Sequence, residues 1–376
     1  METVAMKTVL LTGAEGFIGR NMKARLGQRS DIRLLCIDVG NTKEELAKAA
    51  GEADFVIHLA GVNRPKDLSE FETGNKGLTE ELVDLLSSRE AKVPLLISSS
   101  IQAALDNPYG KSKLGAEEAI RDYARATGAP VFIFRLPNVF GKWCRPNYNS
   151  VIATWCHNTT HGLPIQINDP EAELHLVYVD DVAEAFIAAL DGTVFPDEDG
   201  FCRVRQTYKR TLAQIASLLE SFAASRKTLI MPSLDDRFTR SLYATWLSYL
   251  PVEEFDYPLE MKKDDRGWLA EFIKSPSFGQ VFVSKTKPGI IRGNHWHHTK
   301  VEKFLVISGK ALIRFRKIDD GRILEYPVSG EELRVVDIPV GYTHSIRNTG
   351  DTELITIFWA DEVFNPAAPD TYYLEV

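Results

Sequence analysis

The sequence predicts an α/β domain with a doubly wound parallel sheet, followed by an all-β domain that forms a double-sheet barrel. Up to about residue 250, short apolar runs alternate with segments of helical periodicity, which is typical of βαβ units. Beyond about residue 255 the helical periodicity ends, and short strands follow one another with glycine-containing turns. We therefore predict domains at residues 1–250 and 261–376, with a linker at 251–260.

The predicted elements of the first domain alternate strictly along the chain. In order, they are "TVLLTG", "FIGRNMKARLG", "RLLCID", "KEELAKAAG", "ADFVIHLAG", "TEELVDLLSS", "VPLLISSS", "KSKLGAEEAIRDYARATG" and "VFIFRLP". Parallel strands need crossover connections, so the helices should cover both faces of the sheet. The stretch "LYATWLSYLPVEEFDYPLEM" predicts a last helix and a proline-marked linker.

The second domain is predicted from a series of strand-like runs. They are "GQVFVSKTK", "EKFLVIS", "KALIRFRKI", "ILEYPVS", "LRVVDIP", "HSIRNTG" and "ELITIFWA". Regularly spaced strands of this kind are typical of a closed or double-sheet barrel.

Composition limits the classes of partner. The chain has 376 residues, 44% of them hydrophobic, and its 52 acidic and 44 basic residues give a net charge of −8. This charge argues against nucleic acid or an anionic membrane as a partner. No apolar run approaches the ~18 residues of a membrane span, and the first residues lead into a strand rather than a signal peptide. The four cysteines form no C-x-x-C pair, as expected of free thiols, so we predict a cytoplasmic protein without membrane insertion.

A glycine-rich turn lies between the first strand and the first helix. "TGAEGFIG" places Gly13, Gly16 and Gly19 where a tight turn and a helix N-terminus can receive a pyrophosphate. Asp38 ends the second strand, 19 residues after Gly19, at about the place of an acid that binds the ribose hydroxyls of a dinucleotide. A turn or helix-capping role for Asp38 is an equal alternative.

Reactive side chains follow the fourth predicted strand of this domain. Tyr109 and Lys113 are four residues apart at the start of a helical pattern and therefore share one helix face. A free tyrosine has a pKa of about 10, and a nearby lysine ammonium favours the phenolate, so we expect Lys113 to lower the pKa of Tyr109. Ser100 closes the preceding strand, where a parallel sheet presents its chemistry.

Residues 7 to about 245 resemble the extended short-chain dehydrogenase/reductase family. The resemblance depends on "TGAEGFIG", "HLAG", Asn75 in "GNKGLTEELV", Ser100 and "YGKSK", which occur in this order. The resemblance implies a Rossmann domain that binds NAD(P)(H), with Tyr109 as proton donor and Ser100 on the substrate oxygen. It also implies that Lys113 holds the nicotinamide ribose. The residues implied to contact the cofactor are Gly13, Gly16, Phe17, Ile18, Gly19, Asp38, Asn75, Tyr109 and Lys113. Asn138 in "FRLPNVFG" would face a nucleotide sugar.

The acid at Asp38 favours a free 2′-hydroxyl, and no arginine follows it in "DVGNTK", where Lys43 is the nearby cation. This local pattern indicates NADH rather than NADPH.

Three of the eight histidines lie within four positions of "GIIRGNHWHHTKVEKFLVISG". In an extended strand, residues i and i+2 share a face, so His295 and His297 converge on one point. With Glu302 and His344 they form a nitrogen and oxygen set that suits a divalent metal. The stretch resembles the first cupin motif at every position, and "PVGYTHSIRN" resembles the second except at its opening glycine, where Leu333 stands.

Both domains and the tail "PDTYYLEV" resemble one family of bifunctional capsular-polysaccharide enzymes. The resemblance implies C3 epimerisation of a UDP-4-keto-6-deoxy-N-acetylhexosamine in the cupin and then C4 reduction. The product would be a UDP-6-deoxy-L-talosamine-type sugar on the route to UDP-N-acetyl-L-fucosamine. It further implies Zn²⁺, a homodimer and NADPH. The implied NADPH disagrees with the preference for NADH that Asp38 indicates. For the proton transfer in the cupin, the sequence offers Tyr342 and Lys303 as candidates, and His298 if it turns inward.

Three alternatives stay open on the sequence alone. The cupin could be a metal-stabilised binding or dimerisation module beside a reductase with one activity. A redox-sensing regulator is a second alternative, although such proteins typically lose the tyrosine or the lysine. A three-histidine, one-glutamate set also suits iron, as in a cupin oxygenase.

Overall fold

The computed structural model describes residues 6–65 and 67–376. They form two compact units. The first comprises the described residues up to Leu219 together with Arg240–Leu250, and the second comprises Glu220–Thr239 and Pro251–Val376. The sequence analysis assigned residues 220–239 to the first domain. They belong with the second because Leu229 and Met231 exchange two backbone hydrogen bonds of 2.7 Å with Lys274 in a strand of that unit.

The first unit contains strands and helices in alternation. The strands are β1 (Lys7–Thr12), β2 (Ile32–Ile37), β3 (Phe55–His58), β4 (Leu95–Ser100), β5 (Val131–Leu136), β6 (Asn138–Phe140), β7 (Glu173–Tyr178) and β8 (Tyr208–Thr211). The helices up to β8 are α1 (Phe17–Leu26), α2 (Lys43–Glu52), α3 (Ser69–Phe71), α4 (Leu78–Ser87), α5 (Pro108–Thr127), α6 (Val151–Thr160) and α7 (Val179–Leu190). Two further helices, α8 (Leu212–Thr228) and α9 (Arg237–Leu247), follow β8, and each contains residues of both units.

The main sheet of the first unit is parallel, with strand order β2-β1-β3-β4-β5. The chain leaves β1 on one side for β2 and returns to its other side as β3, so the strand order reverses at β1. In open α/β sheets, ligands bind at the carboxyl ends of the strands at such a reversal. The predicted parallel-sheet domain is therefore confirmed. A small second sheet joins β6, β7 and β8.

Two apolar clusters cover the two faces of the main sheet. They follow from the strand alternation, because Val9 and Leu11 of β1 enter one cluster while Leu10 enters the other. Phe134 of β5 is fully buried and lies 4.9 Å, centroid to centroid, from Phe186 of α7. The sheet is thus buried on both faces, as its near-continuous apolar strands predict.

Helix α5 begins with strong start signals. The side chain of Asn107 accepts a hydrogen bond from Gly110 N at 2.8 Å, and Pro108 occupies the first helical turn. The helix ends at Gly128, whose φ of +70° is the left-handed conformation that glycine adopts readily. These signals place Tyr109 in the first turn of the helix that follows β4.

The second unit is built from antiparallel strands. They are β9 (Met261–Asp264), β10 (Gly267–Ser275), β11 (Gly279–Thr286), β12 (Ile291–Trp296), β13 (Glu302–Ser308), β14 (Lys310–Lys317), β15 (Ile323–Ser329), β16 (Val335–Ile338), β17 (Tyr342–Asn348), β18 (Leu354–Ala360) and β19 (Tyr372–Tyr373). One sheet has the order β16-β13-β18-β11-β10-β9, and the other has the order β15-β14-β17-β12-β19.

One apolar core lies between the two sheets of the second unit. It contains Phe304 and Phe358 from the first sheet and Ile313 and Ile346 from the second. The predicted all-β character of this part is therefore confirmed. Asn348 is the last residue of the stretch "PVGYTHSIRN" and is fully buried. Its side-chain amide donates hydrogen bonds to the Thr286 and Thr352 carbonyls at 3.0 and 2.8 Å.

Within the described part of the chain, no helix combines the length and the apolar composition that crossing a membrane requires.

We expect Phe134→Ala to lower the free energy of unfolding of the first unit by about 3–5 kcal/mol, because it opens a cavity in a close-packed core. Urea unfolding followed by circular dichroism would measure the change. Phe195→Ala is the matched control, since Phe195 is 72% exposed and its truncation should change the stability by at most ~0.5 kcal/mol. Equal effects of the two substitutions would contradict this account of the core.

Candidate active site and candidate metal centre

Gly13 and Gly16 form the turn from β1 into α1, Gly19 lies in the first turn of that helix, and larger residues do not fit at Gly13 or Gly19. Gly13 has φ of +70°, and a Cβ atom there would lie 2.6 Å from Ala60 N. A Cβ atom on Gly19 would lie 1.9 Å from Gly13 O, so the helix packs directly on the turn. Gly16 caps α1 without a side-chain hydrogen bond, which leaves first-turn amides available to an anion.

Asp38 lies directly after β2 and is tied to this turn. Its carboxylate accepts hydrogen bonds from Glu15 N at 2.7 Å and from Val39 N at 2.8 Å. The turn role that the sequence analysis left open is therefore present, and it puts the acid beside the glycine turn. Contact with a ribose stays a prediction. Lys43 forms an ion pair with Glu81 at 3.0 Å.

Asn75 is buried in a π-helical turn, Glu72–Gly77, before α4. Its amide nitrogen donates to Val62 O and Ser112 Oγ at 3.0 Å each, and its amide oxygen accepts from Val62 N at 2.9 Å. Both amide hydrogens are thus used inside the protein. Asn75 braces the loop after β3 against α5 rather than presenting a free donor to a cofactor.

Ser100, Tyr109 and Lys113 come together at the carboxyl edge of the parallel sheet. Ser100 ends β4, and Tyr109 and Lys113 are one turn apart on α5. Burial raises the pKa of Tyr109, and a hydrogen bond with Ser100 offsets part of this rise. Ser100 and Tyr109 are thus neighbours at this edge, and their joint contact with a substrate oxygen stays a prediction.

Lys113 is 7% exposed, and its ammonium donates to Ser98 O at 3.1 Å. Burial lowers its pKa to about 8, although the negative charge of Glu117 acts to raise that pKa. The pKa of Tyr109 is raised overall because burial is the dominant influence on it, and the ammonium of Lys113 is held at the Ser98 carbonyl. That Lys113 favours the tyrosinate stays a prediction.

Sequence reasoning missed Glu117, which lies one helical turn beyond Lys113. Its carboxylate is fully buried, accepts a hydrogen bond from Ser99 Oγ, and receives two from Arg135, at 2.9 and 2.7 Å. A buried carboxylate needs such partners to stay ionised. The spacing Tyr109, Lys113, Glu117 was the available signal, because it repeats every four residues on one helix face.

Asn138 begins β6, where it is exposed and donates to His175 O of β7 at 3.1 Å. A cavity of about 1030 Å³ lies beside this strand pair. Its lining at the strand ends includes Ile101, Ala104, Leu136, Pro137 and His175. Asn138 is thus placed beside a cavity, and its contact with a sugar stays a prediction.

The four predicted metal ligands converge in the second unit. His295, His297, Glu302 and His344 each offer one ligand atom, and these atoms lie within 4.8 Å of one another. Strand register explains the convergence, because His295 of β12 is paired with His344 of β17. Three of the four residues are buried, and His297 and His344 are only 1% and 0% exposed.

The protonation of the cluster follows from its surroundings. His297 Nδ1 donates to the backbone carbonyl of Asp370. A carbonyl only accepts, so His297 Nδ1 carries a hydrogen. Burial and the neighbouring His344 lower the pKa of His295 to about 4. Burial alone would raise the pKa of Glu302, but His297, His344 and Lys300 outweigh it and hold that pKa well below its usual range.

Lys303 is a wrong prediction for this site. It alternates with Glu302 along β13, so Glu302 points inward and Lys303 points outward, where it pairs with Asp337. Lys300 is the lysine at the cluster, since it is 8% exposed and its Nζ lies 3.7 Å from Glu302 Oε1. The sequence analysis missed it because it lies in the turn between β12 and β13.

Tyr342 and His298 differ in their positions. Tyr342 lies two residues before His344 on β17, on the same strand face, and lines a cavity of about 700 Å³. His298 is exposed, and its ring lies 4.3 Å from that of Trp296, centroid to centroid. His298 is therefore at the rim and does not turn inward, whereas Tyr342 stays a candidate for the proton transfer.

Comparison with known proteins matches both parts of the chain. Residues 9–197 match the NAD dependent epimerase/dehydratase family, and residues 262–372 match the polysaccharide biosynthesis C-terminal domain. A UDP-2-acetamido-2,6-beta-L-arabino-hexul-4-ose reductase of Pseudomonas aeruginosa is 43% identical over 368 residues, which cover 98% of this chain and 98% of that protein. The spore coat polysaccharide biosynthesis protein SpsL of Bacillus subtilis is 28% identical over 117 residues, which cover 28% of this chain and 78% of SpsL.

Solved structures extend the comparison. The capsular polysaccharide assembling protein CapF of Staphylococcus aureus is 51% identical and superposes with a TM-score of 0.93. The alignment covers 98% of this chain and 100% of that chain. A UDP-glucuronic acid 4-epimerase of Bacillus cereus is 18% identical, with a TM-score of 0.53 over 64% of this chain and 98% of that one, which shows a shared fold alone. The chain therefore belongs to the NAD dependent epimerase/dehydratase family and is a CapF-like member that also carries the polysaccharide biosynthesis C-terminal domain.

Proposed function

We propose that the protein is an NAD(P)H-dependent reductase of a UDP-linked 4-keto-6-deoxy amino sugar and that its second unit epimerises the same class of substrate at C3. The observation that carries the reductase is the meeting of Ser100, Tyr109 and Lys113 at the carboxyl edge of the sheet whose β1 leads into the glycine turn. The 43% identity over 98% of the chain to a protein named as a hexul-4-ose reductase supports this substrate class.

The residues of the first unit suit the reduction of a ketone. NAD(P)H supplies the hydride for the carbonyl carbon. The Tyr109 hydroxyl donates a proton to the carbonyl oxygen, and the Ser100 hydroxyl hydrogen-bonds to the same oxygen. Lys113, with its pKa lowered to about 8, stays largely protonated at neutral pH and can hold a ribose hydroxyl while its charge favours the tyrosinate that is left.

The choice between NADH and NADPH depends on Asp38. A carboxylate near the ribose repels a 2′-phosphate, which favours NADH. The resemblance to the bifunctional capsular-polysaccharide enzymes favours NADPH. Asp38 already accepts two backbone hydrogen bonds next to the glycine turn, so its negative charge is fixed at this place, and we propose NADH.

We further propose that His295, His297, Glu302 and His344 bind a divalent metal such as Zn²⁺. The strongest support is the convergence of the four side chains, whose ligand atoms lie within 4.8 Å of one another. Because His297 Nδ1 is directed at the Asp370 carbonyl, its Nε2 faces Glu302 Oε2 at 3.3 Å, and a cation held there would bind both atoms. His297 Nε2 and both ring nitrogens of His344 are also buried without a hydrogen bond. The donor set suits zinc.

A metal held there would act as a Lewis acid on a sugar carbonyl. A ketone acidifies the hydrogens of the neighbouring carbon, so removal and return of the C3 proton would invert that centre. Tyr342, which shares a strand face with His344, and Lys300, which is buried beside Glu302, are the proposed proton carriers. Epimerisation beside a ketone followed by its reduction uses both units on one substrate class.

Homodimerisation, which the resemblance implies, is a further proposal.

A specific observation favours a second candidate function. The cluster is deeply buried, with His344 fully inaccessible, and a buried ligand set can serve to stabilise a small barrel. The protein would then be a reductase with one activity, and the second unit would be a metal-stabilised structural domain.

Proton NMR of a UDP-4-keto-6-deoxyhexosamine incubated in D2O without nicotinamide separates the two candidates. An epimerase should exchange the hydrogen at C3 for deuterium, and the exchange should stop after chelation and resume when metal is restored. A heat-inactivated sample is the control for spontaneous exchange. Only background exchange by the active protein would leave the reductase with a structural second unit.

We expect Tyr109→Phe to lower the rate of NAD(P)H oxidation with the keto sugar by about 10²–10⁴-fold, because the general acid is lost. Deuterium exchange at C3 should continue, since Tyr109 lies outside the second unit. Stopped assays read by absorbance at the nicotinamide band would measure the first effect and NMR the second. An unchanged rate of cofactor oxidation would remove Tyr109 from its assigned role.

The double substitution His295→Ala with His297→Ala should abolish stoichiometric metal binding, because two of four ligands are removed. Elemental analysis of the purified protein would measure this loss. His298→Ala is the matched control, since His298 is the adjacent but exposed histidine, and it should keep one metal per chain. Full metal content in the double variant would place the metal elsewhere.

A further inference from the structure

A segment near the end of the chain lies against the histidine–glutamate cluster. β19 pairs antiparallel with β12, and the register sets Tyr373 opposite His295. Leu374 N continues this pairing by donating to Asn294 O at 3.0 Å. We call residues 370–374 the C-terminal strap. It is an added strand at the edge of the sheet that carries His295.

Asp370 contacts the cluster through both its side chain and its backbone. Its carboxylate accepts hydrogen bonds from the amides of His298, Thr299 and Lys300 at 2.9, 2.7 and 2.9 Å. These amides form the turn between His297 and Glu302. Its backbone carbonyl accepts from His297 Nδ1. One residue therefore fixes both the orientation of a ligand ring and the turn that joins two ligands.

The other contacts of the strap reach the remaining ligands. Thr371 Oγ1 accepts a hydrogen bond from Lys300 Nζ at 3.1 Å, and Lys300 in turn lies beside Glu302. Leu374 O accepts from the hydroxyl of Thr343, the neighbour of His344 in β17. Each of the four ligands is thus held by the strap, either directly or through an adjacent residue.

We propose that the C-terminal strap is a positioning element of the metal centre and that Asp370 is its principal residue; this inference rests on the proposed metal binding. A histidine ligand binds a metal in one orientation and one tautomer when an acceptor holds its other ring nitrogen. In this chain the acceptor is a backbone carbonyl, so the conformation of the strap determines the ligand geometry. The carboxylate of Asp370 keeps that carbonyl in place by anchoring the strap to the turn.

The test compares Asp370→Asn in the full chain with the matched control Glu375→Gln. An asparagine side chain keeps the size of the aspartate but cannot accept three amide hydrogen bonds as a carboxylate does. Glu375 is in the same tail, and its carboxylate contacts the exposed Tyr373 hydroxyl. Competition with a chromophoric chelator measures the affinity for Zn²⁺, and the visible spectrum of the Co²⁺-loaded protein reports the ligand geometry.

Asp370→Asn should weaken Zn²⁺ binding by about 10- to 100-fold and change the Co²⁺ spectrum, as the loss of a group that orients a ligand does. Glu375→Gln should keep the affinity and the spectrum of the unchanged chain. If Asp370→Asn does not fold, Thr343→Val tests the strap through the Leu374 carbonyl and should weaken binding by about 2- to 10-fold.

The outcomes separate this inference from the proposed function. Metal binding by the unchanged chain together with unaltered affinity and spectrum in Asp370→Asn and Thr343→Val would overturn the role of the strap and leave the metal centre standing. Absence of metal binding in the unchanged chain would overturn both.

Discussion

Burial of ionisable side chains is the constraint on which both candidate sites depend. A buried charge or lone pair cannot be solvated by water, so the protein must supply its partner. In the first unit, Lys113 is held at the Ser98 carbonyl, and one helical turn away Glu117 is held by Arg135. In the second unit, the partners of Glu302 are imidazoles. Burial lowers the pKa of Lys113, and at Glu302 the neighbouring imidazoles and Lys300 outweigh burial and lower the pKa of the carboxyl group.

The periodicity of each secondary structure determines which chemistry can meet. On α5 the four-residue spacing aligns a hydroxyl, an ammonium and a carboxylate along one face, beside the ends of parallel strands. In the second unit, the pairing of β12 with β17 sets His295 opposite His344, so the two rings lie close together. The same alternation excludes Lys303 from the cluster, because it is next to Glu302 in β13 and therefore faces the outer surface.

The activities proposed for the two units are complementary reactions of one functional group. A ketone accepts a hydride and a proton at its own carbon and oxygen, and it makes the hydrogens on the adjacent carbon acidic. The first unit has the hydroxyls and the ammonium for the former reaction. The second has a metal-ligand set and neighbouring tyrosine and lysine side chains for the latter. A single UDP-linked keto sugar is thus a consistent substrate for both.

The orientation of the metal ligands depends on residues far away in the chain. His297 and its hydrogen-bond acceptor, the Asp370 carbonyl, are 73 positions apart. The turn that links His297 to Glu302 is held by the same distant residue. Local sequence therefore supplies the candidate ligands, whereas the orientation of the His297 ring depends on a hydrogen bond with a residue distant in the chain.

The two fold classes, the glycine turn and the four candidate metal ligands could be predicted from the sequence alone. These features are local, because they depend on apolar periodicity, on steric needs at a turn, and on spacing within a strand or helix. Tertiary structure decided the rest. It moved residues 220–239 to the second unit, turned Asn75 into a brace, raised the pKa of Tyr109, and placed Glu117, Lys300 and Asp370 at the sites. Burial and pairing between distant segments produce these effects, and neither quantity can be read from neighbouring residues.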